Sequence, residues 1–155
     1  MTTIVPTPAF GSYRLGEALT EEAIPAVVHR PLPNEAAREE MLLQKLGSRG
    51  WGRIHHFRYY YSPGWGEGTG KVLSPRASEA FYRFLEAVMF PESSTPSIFL
   101  TDNGGLELCW EDTDGHARQV EFTSKGIEYY DEARQREGFV SHRDILSLAQ
   151  QFSSR

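Results

Sequence analysis

Hydrophobic positions recur every third or fourth residue in three stretches of the chain, and every second residue between the last two. The first stretch runs from Glu35 to Leu46 behind an N-cap at Asn34. Leu42, Leu43 and Leu46 share one face, Glu40 and Gln44 lie opposite, and Gly47 and Gly50 end it. The second opens at Ser74 with Pro75 in its first turn. Ala77, Phe81, Phe84, Leu85 and Val88 form its apolar stripe, Arg76, Glu79, Arg83 and Glu86 its wet side, and Pro91 stops it. The third carries Ile145, Leu146, Leu148, Ala149 and Phe152, with Ser141 and Asp144 spaced like a capping box ahead of it. All three patterns predict amphipathic helices.

Period-two alternation predicts four strands around Ile98–Leu100, Leu106–Trp110, Val120–Phe122 and Ile127–Tyr129. Asp102-Asn103-Gly104-Gly105, Asp112-Thr113-Asp114-Gly115 and Ser124-Lys125-Gly126 supply the turns between them. The alternate positions, Glu107, Cys109, Glu111, Glu121 and Glu128, predict one wet face. Trp110 shares parity with Leu106 and Leu108 and is expected against the Ala77–Val88 helix. Asp131–Gly138 is rich in charge and reads as a linker. The fold class expected is α+β, a four-stranded antiparallel meander packed with two or three helices.

Residues 1–33 hold Pro6, Pro8, Pro25, Pro31 and Pro33, which exclude a long helix and predict an extended N-terminal arm ahead of a single domain over 34–155. A short helix near Thr20–Ile24 and a brief strand at Ala26–His29 are expected within the arm. The segment 51–61 fits neither period alone. Its aromatics favour strand, while helical spacing puts Trp51, Ile54, His55 and Arg58 on one face.

Composition narrows the class. A chain of 155 residues, 39% hydrophobic and 24% charged, is long enough for one buried core and too apolar for global disorder. No apolar run approaches the roughly 20 residues that span a bilayer, so no membrane partner is expected. Cys109 is the lone cysteine, and MTTIVPTPAF lacks the pattern of a secretory leader, so a cytoplasmic setting is expected. Charge is uneven: residues 49–76 carry five bases against Glu67, and residues 102–137 carry ten acids against four bases. This leaves solvated faces of opposite sign or a surface that steers a partner.

Residues from about 64 to 130 resemble a recurring class of small bacterial proteins. The shared features are a Gly-Trp-acid-Gly turn (here Gly64-Trp65-Gly66-Glu67-Gly68), a helix opened by Ser74-Pro75, then Pro96-Ser97-Ile98 and Gly104-Gly105. A Leu-x-Leu-x-Trp-Glu hairpin follows at Leu106–Glu111. Gly66 departs from the pattern by separating the tryptophan from the acid. The resemblance implies the fold and brings no activity or catalytic residue.

Candidate chemistry is sparse. Gly64, Gly66, Gly68 and Gly70 have the look of a phosphate cradle, but Lys71 is followed by Val72, where a P-loop needs Ser or Thr, so a structural turn is expected. His29, His55, His56, His116 and His142 lack metal-finger spacing, and Cys109 stands alone on a strand. No catalytic residue, metal or cofactor is expected. The basic, aromatic block 49–65 is the candidate site, with Arg53, His56, Arg58, Tyr59, Tyr60 and Trp65 as partner-binding residues, because aromatics and arginine anchor protein interfaces. The reading is a non-catalytic protein-interaction module, an accessory or inhibitory partner of another bacterial protein. The alternative is a single-stranded nucleic-acid-binding protein using segment 49–76, which the net charge of −5 opposes.

Overall fold

The computed structural model describes residues 33–154. The expected arm, with its helix at Thr20–Ile24 and strand at Ala26–His29, lies outside them. The chain divides into the units Met1–Glu35 and Ala36–Arg155, and the second holds the sheet and its helices.

Helix α1 spans Pro33–Tyr60 and contains one break, at Gly47, where φ is 69° and ψ is −179°. That combination is essentially glycine-only, and it lets the two halves fold back on each other. Glu39 of the first half accepts hydrogen bonds from Trp51 Nε1 and, at 2.8 Å, from His55 Nε2 in the second. The open question over 51–61 is thereby answered: Trp51–Tyr60 is helical. Its aromatic residues pair at i,i+4, Trp51 with His55, His55 with Tyr59, and His56 with Tyr60, while Ile54 and Phe57 enter the core.

Helix α2 is Pro75–Ala87, capped by Ser74 Oγ, which accepts from Ala77 N–H. Lys45 of α1 donates to the carbonyl of Val88 at 2.6 Å and satisfies the end of α2. Arg38 pairs with Glu79 at 2.6 Å. A 3-10 turn at His142–Asp144, capped by Ser141, leads into α3, Ile145–Phe152.

The sheet has five strands in simple order, all antiparallel, which corrects the four expected. They are β1 Ser97–Leu100, β2 Leu106–Glu111, β3 Ala117–Phe122, β4 Ile127–Asp131 and β5 Arg136–Val140. The extra strand, β5, lies in the segment read as linker. Backbone pairing of Asp131 with Arg136 and of Ile127 with Val140 folds it back on β4, and its charged residues suit a sheet edge.

α2 and α3 cover one face of this sheet. Ile98, Leu106, Leu108, Trp110, Val120, Phe122 and Ile127 point into the core with Phe81, Phe84, Leu148 and Phe152. Trp110 takes the expected place, with its ring 5.1 Å from Phe90, 5.8 Å from Phe152 and 6.2 Å from Phe84. The same face ends on a buried charge. Asp131 is fully enclosed, accepts from Arg118 at 2.9 Å and from the backbone N–H of Arg134 at 3.3 Å, and shares Arg118 with Asp112.

Candidate interaction surface at the end of helix α1

The second half of α1 gives its residues different environments. Arg53 turns to the sheet edge: its Nε donates to the Ile98 carbonyl at 2.7 Å, and its guanidinium lies 4.9 Å from the centre of the Phe99 ring. A cation on an exposed strand edge discourages pairing with another chain. Phe57 is buried. Tyr61 stands edge-on to both Phe57, at 5.7 Å, and Trp65, at 4.9 Å, linking the core to the following turn.

Four of the six expected site residues are exposed on the last turns of the helix: His56, Arg58, Tyr59 and Tyr60. Tyr59 is 71% exposed and Tyr60 76%. The His56 and Tyr60 rings stack at 5.0 Å and 22°, so each holds the other in place. Tyr59 stacks on His55 at 6.0 Å, and the Glu39 carboxylate holds that histidine from behind. Arg58 lines a cleft of about 370 Å³ with Arg38, Tyr61, Ser78 and Glu79. Arg53 and Trp65 are half-buried to either side of this group.

The glycine-rich segment closes on Trp65. Its indole N–H donates to the Lys71 carbonyl at 2.6 Å, and a Cβ on Gly70 would fall 2.4 Å from the indole ring. Lys71 N–H and Ser74 N–H bond to the carbonyls of Asp102 and Gly104, stitching the turn to the β1–β2 connection. These contacts define a structural turn whose backbone is committed to Trp65 and the sheet.

No protein-family model, curated protein or solved structure matches the chain.

Cys109 lies on the sheet face away from the helices and donates to Glu107 Oε1 at 3.3 Å. Burial, then the Glu107 carboxylate, pushes its thiol up to about 12, so it is protonated and a poor nucleophile at neutral pH. Asp112, Asp114 and His116 bring ligand atoms within 4.8 Å of one another. Asp112 already accepts from the N–H groups of Asp114 and His116, and its other oxygen faces Arg118 at 3.1 Å. That arrangement builds the β2–β3 turn, with Arg118 supplying the positive charge a metal would bring. Among the described residues no helix is long and apolar enough to cross a membrane.

The sequence marked the aromatic, basic block but not which of its residues turn inward. Arg53's partner is 45 positions away and leaves no local signal.

Proposed function

We propose that the protein is a non-catalytic protein-interaction module, an accessory or inhibitory partner of another bacterial protein, acting in the cytoplasm. Its binding surface is the end of α1. The observation that carries this reading is the pair of adjacent tyrosines left 71% and 76% exposed beside Arg58. Rigid rings supply contact area at low entropic cost, and the stacks on His55 and His56 fix them before any partner arrives. Arg58 adds a planar donor suited to a carboxylate. The local excess of base over residues 49–76 steers an acidic protein surface toward this end.

A photo-cross-linking residue in place of Tyr60, in the full chain in its native host, tests the reading. One protein should be captured, and Arg58→Ala should abolish the capture. The same cross-linker in place of the exposed Leu146 should capture nothing. Identical products from both positions would overturn the assignment.

The stacked His56–Tyr60 pair also supports a second reading, a platform for an unpaired base. A gel shift with a single-stranded oligonucleotide separates the two. Binding at low salt that collapses as salt rises would transfer the site to nucleic acid.

A further inference from the structure

On the face of the sheet turned away from α2 and α3, Arg53 of α1 reaches the β1 end, over Phe99, and the outward residues of β4 and β5, Glu128, Glu137 and Phe139, are exposed. Across it the strand register lines up one row: Phe99 opposite Glu107, Glu107 opposite Glu121, Glu121 opposite Glu128, and Glu128 opposite Phe139. Three carboxylates thus stand side by side on three neighbouring strands. A phenylalanine closes each end, 42% exposed at Phe99 and 57% at Phe139. Glu137, on β5, adds a further carboxylate opposite Tyr130. Glu121, Glu128, Glu137 and Tyr130 line a shared cleft of about 270 Å³.

What sets this row apart is that its carboxylates stand directly opposite one another on adjacent strands. Elsewhere Glu79 is matched by Arg38, Glu39 by His55, and Asp112 and Asp131 by Arg118. Among the described residues, Glu107, Glu121, Glu128 and Glu137 have no ion-pair partner. Like charges directly opposite on adjacent strands oppose folding, so the isolated sheet gains nothing from the row. A cationic partner would turn the same repulsion into attraction. Phe139 and the Tyr130 ring add apolar contact and a face for a cation, while Phe99, already under Arg53, adds apolar contact at its exposed edge.

We propose that this open face docks a basic helical segment of a partner protein, its Arg or Lys side chains seated among Glu107, Glu121 and Glu128 and its apolar residues on Phe99 and Phe139. The spacings agree: neighbouring strands lie about 4.8 Å apart, and helix residues three or four apart are separated by about 5–6 Å. From Phe99 to Phe139 the row crosses five strands, about 19 Å by that strand spacing, which a helix of about 13 residues spans at its usual rise. The surface meets the α1 residues only where Arg53 lies over Phe99, and it is opposite to the end of α1 in charge.

The test uses the full chain and a synthetic amphipathic peptide of about 14 residues, built from leucine, alanine and arginine with an arginine at every fourth position. Amide shifts in the nitrogen-15 spectrum should concentrate on the outward residues of β2, β3 and β4. Glu121→Gln/Glu128→Gln should weaken binding by about tenfold or more, as expected for lost charge-assisted contacts. Glu40→Gln/Glu92→Gln removes as much charge from exposed positions elsewhere and should change affinity by less than about twofold. The first variant should melt no earlier than the parent, and Glu128→Gln alone, at an exposed position, should show the same trend in binding. Equal weakening by the two double variants, or shifts away from this face, would overturn the proposal. So would self-association of the chain alone that disappears in Glu121→Gln, which would make a second copy the occupant.

Discussion

Glu121 of β3 stands directly opposite Glu128 of β4, with Glu107 of β2 on its other side. Burial raises the Glu121 carboxyl above its ordinary 4.5, and the charges of Glu128 and Glu107 raise it further, against a hydrogen bond from Thr101. A raised carboxyl holds its proton longer in the folded chain than in the unfolded one. Stability therefore falls as pH rises from 4.5 through the folded value, and the loss is complete above it. Glu121→Gln should flatten that dependence and stabilise the protein at pH 7 by about 0.2–1 kcal/mol for each opposed pair relieved. Urea midpoints for parent and variant at pH 5 and pH 7 check both parts.

Trp110 is buried between the sheet and its helices. Its ring meets Phe84 of α2, Phe90 beyond it and Phe152 of α3. Trp110→Ala should cost about 3–5 kcal/mol through the cavity it opens. An unchanged melting temperature would show that β2 is in another register.

Gly47 is held by backbone conformation alone. Nothing lies within 4 Å of where its Cβ would be, so a methyl group there meets no clash, yet φ of 69° with ψ of −179° is closed to other residues. Gly47→Ala should lower stability by about 1–3 kcal/mol. Its signature should be loss of the Glu39–His55 contact, seen as a change in the His55 ring resonances by NMR at fixed pH.

The Asp112–Arg118–Asp131 network sets the behaviour in acid. Burial works against ionisation of Asp112, but the His116 N–H, the Arg118 guanidinium and the Asp114 N–H outweigh it and bring its carboxyl to about 2 from an ordinary 3.8. A depressed carboxyl stabilises the fold fully above its unfolded value, and that contribution is lost as pH falls from 3.8 toward 2. Asp131→Ala removes one of the two carboxylates that hold Arg118, leaving Asp112 as its partner, and should cost about 1–3 kcal/mol. Acid unfolding of the parent, compared with Asp112→Asn, should show the transition of the variant less steep between pH 4 and pH 2.

What could be read from the sequence was what local chemistry determines. The turns at Asp102–Gly105 and Asp112–Gly115 and the parity of Leu106, Leu108 and Trp110 led directly to β1, β2 and β3. Ser74-Pro75 marked the start of α2 in the same way. β5 escaped because Arg136 and Glu137 carry the charges of a loop, and the strand exists through its backbone pairing with β4. The second half of α1 escaped because its aromatics favour strands, and the i,i+4 ring pairs that make it a helix gain their value only once Glu39 folds back onto them. At the candidate site the type of residue was visible and the orientation was not. Arg53 and Trp65 turn to the Ile98 and Lys71 carbonyls, partners supplied by tertiary contact and by a tight turn.

The most direct test of the α1 surface is thermal melting and partner capture measured together on Tyr60→Ala and Arg58→Ala. Both side chains are exposed, so each variant should retain the parent's stability to within about 0.5 kcal/mol. Binding to the captured protein should weaken in each by about 1 kcal/mol or more. Early melting in both, with binding lost only as the fold is lost, would make the end of α1 part of the core and contradict the assignment.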